Sequence, residues 1–381
     1  MIYDPLELTT ELIRCRSVTP HNDGAIELLS EKLKKIGFDC EILEFSEEGE
    51  DSIKNLWANI GNKSPRLSFA GHTDVVPEGD ESLWESPPFE GRNDGNKIIG
   101  RGASDMKGSI GSFISAISIF LKKNKKKFNG SISLLITGDE EGKAVNGTQK
   151  LLEWMKNNNY TFDDCIVGEP TNPNKLGEMI KIGRRGSTNI TLALNGIEGH
   201  VAYPQLADNP IPKFIEILSG LIKEPLDEGN EYFDASNLEI TSIDVDNSAS
   251  NVIPSTITAK LNIRYNDNFT KEKIENEIEN RLKKFDHEYS INFEHSGDSF
   301  ITEPGEFVDN LSSIIKRHCK ITPKLSTTGG TSDARFIKNY GRVVEFGLVG
   351  ASMHKINEYS NNADIEKLKD IYLDVLIDYF S

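Results

Sequence analysis

The sequence runs to 381 residues, long enough for two or three domains with substantial cores, and its 37 % hydrophobic and 27 % charged composition excludes a wholly disordered chain. Lys and Arg number 43 against 60 Asp and Glu, and the formal charge of −17 argues against a duplex nucleic-acid binder, which needs a basic face. The four cysteines, Cys15, Cys40, Cys165 and Cys319, are far apart and form no Cys-x-x-Cys pair. Neither a four-cysteine zinc site nor a disulfide framework is expected, and a cytoplasmic setting is. The first residues show no basic and apolar leader, and no apolar run approaches bilayer length, so no membrane partner is expected.

In chain order, the first half alternates strand-like and helical patterns. Leu67, Phe69 and Ala70 form a strand-like run ending at Gly71. Ile132 to Ile136 is a second, ending at Gly138-Asp139, and Ile166-Val167 a third, ending at Gly168-Glu169. Between them Ile110, Phe113, Ile114, Ile117 and Leu121 recur at helical spacing, as do Leu151, Leu152 and Met155. Strands alternating with helices predict an α/β fold with a mostly parallel sheet covered on both faces. The basic run Lys122–Lys127 reads as the solvated end of a helix.

After Gly183 the pattern changes. Ile190, Leu192 and Leu194 alternate, Ile211 to Ile222 has helical spacing, and strand-like runs follow at Leu238–Ile243 and Ile257–Ile263. A charged helix over Lys271 to Lys284 and a last run at Ile291–Phe293 complete a β-α-β-β-α-β order, the ferredoxin-like arrangement. The sequence therefore predicts an inserted domain over 184–296 within a discontinuous catalytic domain formed by 1–183 and 297–381. The resumed alternation includes Val308 to Ile315, Val343–Leu348 and an amphipathic helix from Ile365 to Phe380.

Polar clusters follow the three strand-like runs of the first half: Gly71-His72-Thr73-Asp74, Gly138-Asp139-Glu140-Glu141-Gly142 and Gly168-Glu169-Pro170-Thr171. Gly102-Ala103-Ser104-Asp105-Met106-Lys107-Gly108 precedes a predicted helix. Taken singly, each has a plain structural explanation: a His-Asp pair, a solvated turn, a helix N-cap at Asp105. Together they occupy the carboxyl ends of parallel strands, where α/β sheets bind ligands. So many carboxylates converging there repel one another unless cations are bound. His, Asp and Glu without thiolate suit zinc, manganese or cobalt.

These strings, with Gly71-His72-Thr73-Asp74-Val75-Val76-Pro77 and Gly100-Arg101-Gly102 extending two of them, resemble the successive motifs of the dinuclear zinc aminoacylase/carboxypeptidase family. The resemblance covers nearly the whole chain and implies two Zn²⁺ per subunit in a metal-dependent amide hydrolase. By that resemblance His72 and Glu169 bind one ion, Asp105 bridges both, and Glu141 and His354, in Met353-His354-Lys355-Ile356-Asn357-Glu358, bind the other. Asp74 accepts a hydrogen bond from His72, and Glu140 is the general acid/base.

Further strings, Gly183-Arg184-Arg185-Gly186-Ser187, Gly199-His200-Val201-Ala202-Tyr203-Pro204, Asn251-Val252-Ile253-Pro254 and Thr328-Gly329-Gly330-Thr331-Ser332-Asp333, resemble one branch of the family. The implied reaction is hydrolysis of N-succinyl-LL-2,6-diaminopimelate to succinate and LL-2,6-diaminopimelate, with acetylornithine deacetylation or another aminoacylase or carboxypeptidase activity as the alternative. In that branch Arg184, Ser187, Tyr203, Asn251, Gly330 and Thr331 hold the anionic substrate. His200 reaches the active site of the partner subunit, which implies a homodimer with the inserted domain as its dimerisation and lid element. One departure stands out: Gly350 occupies a place where many members carry an asparagine.

Overall fold

An eight-stranded sheet runs in the order Asp39–Phe45, Ile53–Gly61, Ser131–Thr137, Arg66–His72, Asp164–Val167, Arg342–Glu345, Met179–Lys181 and Lys324–Ser326. The computed structural model describes residues 1–124 and 127–381. The four central strands, Ser131–Thr137 to Arg342–Glu345, are mutually parallel. They are buried almost throughout, which is why they read as short continuous apolar runs.

The helices Gly108–Lys123 and Asn362–Tyr379 pack against each other and supply aromatic rings to the core. Phe69 stacks on Phe113 with centroids 4.2 Å apart, and Tyr372 meets both rings edge-on at 5.8 and 5.3 Å. The buried Tyr372 hydroxyl donates to the Phe346 carbonyl, so its polar end is satisfied. Helix Gly108–Lys123 is buried on nearly every side because its small residues also face neighbours. Ser115 Oγ donates to Tyr3 O and Ser112 Oγ to Ile365 O, and a Cβ on Gly111 would lie 2.8 Å from Thr9 Oγ1. Lys122 and Lys123 end this helix; Lys125 and Lys126, within the basic run, lie outside the described residues.

One edge departs from the alternation. Asp39–Phe45 and Ile53–Gly61 pair antiparallel, and the latter pairs antiparallel with Ser131–Thr137. The outermost of these strands is mostly exposed or half-buried, so its sequence carries no strong apolar pattern.

The chain divides into two compact units, Met1–Ile182 with Thr302–Ser326 and Ser332–Ser381, and Gly183–Ile301 with Thr327–Thr331. The second is a four-stranded antiparallel sheet in the order Asn237–Asp244, Thr256–Tyr265, Gly186–Asn195, Tyr289–Gly297. Helices Pro210–Lys223 and Lys271–Leu282 complete a ferredoxin-like unit whose core holds Leu192, Phe214, Leu261 and Ile278. Thr327–Thr331 clusters with this unit because Thr327 Oγ1 donates to Tyr232 O and Gly330 O accepts from Arg184. Among the described residues, no helix is long and apolar enough to cross a membrane.

Candidate metal centre

Parallel neighbours end on the same edge of the sheet, and the chemistry collects there. His72 is the last residue of its strand, Glu140 and Glu141 lie on the turn beyond Ser131–Thr137, and Glu169 lies two residues beyond Asp164–Val167. Asp105 sits in the irregular turn Ala103–Lys107 that enters helix Gly108–Lys123, and His354 in the loop before the strand Tyr359–Asn361.

These side chains meet in overlapping groups, each with ligand atoms within 4.8 Å of one another: His72, Asp105 and Glu169; Asp105, Glu141 and His354; and His72, Glu140 and Glu141. Asp105 joins the first two groups. One of its oxygens lies 3.2 Å from His72 Nε2 and the other 3.1 Å from His354 Nε2. His72 Nε2 is also 3.9 Å from Glu169 Oε1, and His354 Nε2 is 2.8 Å from Glu141 Oε1. His72 Nε2 and Asp105 Oδ1 are buried and, despite their closeness, have no hydrogen-bond partner. Two such facing atoms are what a bound cation would satisfy, and imidazole with carboxylate suits zinc, manganese or cobalt.

Asp74 accepts a hydrogen bond from His72, through its main-chain carbonyl and not its carboxylate. His72 Nδ1 donates to that carbonyl at 2.9 Å, while the Asp74 carboxylate is 3.7 Å away. A carbonyl can only accept, so Nδ1 carries a hydrogen and Nε2 is the ring atom that would face a cation. The fully buried Asp74 carboxylate instead accepts the amides of Glu140 at 3.2 Å and Glu141 at 2.9 Å, and so fixes the turn that carries both glutamates.

The charges are strongly perturbed. Burial, then the neighbouring Glu169 carboxylate, raise Glu140 well above the usual carboxylate range. Burial pushes Asp74 up to about 7, against the pull of His72 and the two amides. Burial opposes ionisation of Asp105 too, but His354 and His72 outweigh it and hold that carboxyl well below its ordinary value. Hydrogen bonds to Asp105 and then Glu141 raise His354 to about 10.

The other sequence-predicted residues lie in the second unit. Arg184 is buried with Nη1 donating to Gly330 O at 3.0 Å, and buried Ser187 accepts from Asn262 at 3.4 Å. His200 pairs in register with Val252, its Nδ1 accepts from Ala202 N, and exposed Tyr203 stands 5.8 Å from its ring. Asn251 O accepts from Val201 N, which brings Asn251 beside His200, and Thr331 follows exposed Gly330. Sequence reasoning missed Arg264, which stands opposite Ser187 in the strand register. Burial and the Arg185 cation lower its pKa, and Arg185 itself donates from Nη1 to Asn237 Oδ1 at 2.9 Å. Also unforeseen are buried Arg101 and Glu358, paired at 2.8 Å beneath the Asp105 turn. The departure at Gly350 has a packing reason: a Cβ there would lie 2.7 Å from the Pro170 carbonyl oxygen.

Residues 68–378 match the model of peptidase family M20/M25/M40. The chain is 50 % identical over 381 residues to a protein of Rhodospirillum centenum named succinyl-diaminopimelate desuccinylase, covering 100 % of this chain and 98 % of that one. Aminopeptidase PepT from Bacillus cereus shares the fold with a TM-score of 0.79 at 18 % identity, over 99 % of this chain and 98 % of that one. A Bacillus subtilis protein described as a dinuclear metal binding peptidase of the M20 family gives a TM-score of 0.66 at 16 % identity, over 98 % and 99 % of the two chains. With the family model matched over most of its length and a full-length relative at half identity, the chain belongs to peptidase family M20/M25/M40.

Proposed function

We propose that this chain hydrolyses N-succinyl-LL-2,6-diaminopimelate to succinate and LL-2,6-diaminopimelate, a step of lysine biosynthesis. The observation that carries the reaction class is the convergence of His72, Asp105, Glu141, Glu169 and His354 around Glu140. The full-length relatives named succinyl-diaminopimelate desuccinylase support the choice of substrate. His72, Asp105 and Glu169 would hold one Zn²⁺ and Asp105, Glu141 and His354 the other, with Co²⁺ or Mn²⁺ able to substitute. When bound, the ions supply Lewis acidity, bringing the pKa of water toward ~7 and favouring negative charge on the carbonyl oxygen.

The remaining work falls to side chains. Glu140, its carboxyl raised by burial and by Glu169, takes the proton of the attacking water and returns it to the departing amine nitrogen. Asp74 keeps Glu140 and Glu141 aimed apart by holding both their amides. Arg184, Ser187, Tyr203, Asn251, Gly330 and Thr331 hold the substrate's carboxylates, with Arg264 as a further cation in this set. A guanidinium is suited to carboxylate by its forked donors, and these residues counter a net charge of −17 that disfavours an anion.

His200 donates to the developing oxyanion in the active site of a partner subunit. Exposed Ile197, Val201, Tyr203, Leu206, Ile215 and Ile222 of the second unit support a homodimer formed there. The second unit is the dimerisation and lid element, the first is the catalytic one, and the setting is the cytoplasm. Metal-loaded protein should release succinate from N-succinyl-LL-2,6-diaminopimelate far faster than acetate from N-acetylornithine. The reverse preference would overturn the substrate and leave the amide hydrolysis standing.

A further inference from the structure

We propose that the buried Arg101–Glu358 pair is the positioning element of the second metal position, the one built from Asp105, Glu141 and His354. The inference rests on reading that cluster as a metal centre. Asp105 and His354 belong to segments far apart in sequence, and neither sits on a strand whose ladder would hold it. Something else must bring the two loops to a fixed separation.

Glu358 is fully buried and one carboxylate serves four donors. Its Oε2 accepts from Arg101 Nη1 at 2.8 Å and Gly102 N at 3.0 Å, and its Oε1 accepts from Ser104 N at 2.9 Å and Asp105 N at 3.1 Å. The main chain leading into the bridging carboxylate is thus tied to a residue 253 positions later. Arg101 works in the other direction. Its Nη1 also donates at 3.2 Å to the carbonyl of Lys355, the residue directly after His354, and its Nη2 donates at 3.2 Å to Pro77 O. Its guanidinium carbon lies 5.3 Å from the Trp84 ring centroid, so the fork is held over an aromatic face. Ser104 Oγ to Val349 O at 2.7 Å adds a second tie between the same two segments.

A buried ion pair is a poor source of stability, because its desolvation cost offsets much of the attraction. Its distinctive contribution here is direction: the amides it satisfies lie in the Asp105 segment, and two of the groups it holds, Lys355 O and the Glu358 side chain itself, lie in the His354 segment. The first position shares Asp105 and so feels the pair less, since His72 ends a hydrogen-bonded strand and Glu169 follows another. Loss of the pair should therefore be felt unequally by the two ions.

The test is Zn²⁺ titration of metal-free wild type and Glu358→Gln, by calorimetry and chelator competition, with Co²⁺ absorption as a spectroscopic probe of coordination. Glu358→Gln keeps the volume but replaces one acceptor oxygen by an NH₂ that must face two of the four donors. The second equivalent, which loses the aim of both Asp105 and His354, should weaken by about 10- to 100-fold, the range typical of lost outer partners of metal ligands, while the first, which shares only Asp105, should weaken by several-fold less. Arg101→Lys keeps the cation and loses the fork; it should weaken the second equivalent by less than Arg101→Met. Saturating metal should restore turnover in each. The second series covers the case in which Glu358→Gln fails to fold, which its melting temperature reports. Equal weakening of both equivalents, or an unchanged second equivalent in folded variants, overturns the positioning role. Wild type that takes up no ion overturns the metal centre itself.

Discussion

Asp74→Asn separates two accounts of one carboxylate. If that carboxylate orients the His72 ring, the substitution disturbs the proposed first metal position. In the structure the ring donates to the main-chain carbonyl of residue 74, which asparagine retains, whereas the carboxylate accepts the amides of Glu140 and Glu141. Asparagine offers one acceptor oxygen and turns an NH₂ toward the other amide. One backbone N–H is then left without an acceptor at a fully buried site, at a cost of about 1–3 kcal/mol. If the turn relieves that cost by shifting, Glu140 leaves its working position and kcat should fall by roughly 5- to 150-fold. The first Zn²⁺ equivalent should keep its affinity within about threefold. Calorimetric metal titration beside steady-state kinetics reads both quantities. Selective loss of the first equivalent with normal kcat at saturating metal would refute the amide-clamp account and restore the ring-orientation account.

Three other outcomes follow from the same geometry. Glu140→Ala should lower turnover by about 10²- to 10⁴-fold while metal analysis still finds near two ions per chain; surviving turnover would mean that another group moves the proton. His200→Ala should lower kcat without loss of metal, and mixed dimers with Glu140→Ala subunits should recover activity above either parent if the histidine acts across the dimer. The pH dependence has a definite sign. In the metal-free protein the His354 pKa is raised to about 10, so its pairing stabilises the fold fully below the unfolded value near 6.5 and is lost as pH rises through about 10. A cation must displace that proton, so the second equivalent should bind more tightly as pH rises, with proton release at neutral pH visible as buffer-dependent binding heat. Binding heats that do not vary with the buffer would contradict the pairing of His354 with Asp105 and Glu141.

Much of this was legible in the sequence where one local pattern decides the structure. Ile110, Phe113, Ile114, Ile117 and Leu121 specify their helix because its buried face repeats at helical spacing. His72, Glu141 and Glu169 were legible because glycine-flanked polar clusters follow buried strands, and strand ends are where a parallel sheet opens. The antiparallel strand Asp39–Phe45 was not, because an edge strand with both faces partly wet has no strict period to read. Nor was the place of Thr327–Thr331 in the second unit, which depends on hydrogen bonds to Tyr232 and Arg184 far away in the chain.

The illegible part of the site has a common physical character. A metal ligand is advertised by its own chemistry, an imidazole or carboxylate in a polar cluster. The groups that aim the ligands are advertised only by what they touch. Asp74 sits in the same cluster as His72, yet its carboxylate serves a turn 66 residues later, since two amides there present donors that a ring held by a carbonyl does not. Glu358 follows the His354 loop, yet it holds the chain entering Asp105. Both carboxylates are fully buried and both accept from backbone N–H groups, Glu358 from Gly102, Ser104 and Asp105 besides its pair with Arg101. Such a carboxylate fixes main chain, and removing it should shift a candidate ligand without deleting one. The two classes of residue therefore differ in what metal can repair. Excess Zn²⁺ should restore turnover to a protein whose proposed ligands are intact but misaimed, as in Glu358→Gln, and should not restore it where the proposed base is absent, as in Glu140→Ala.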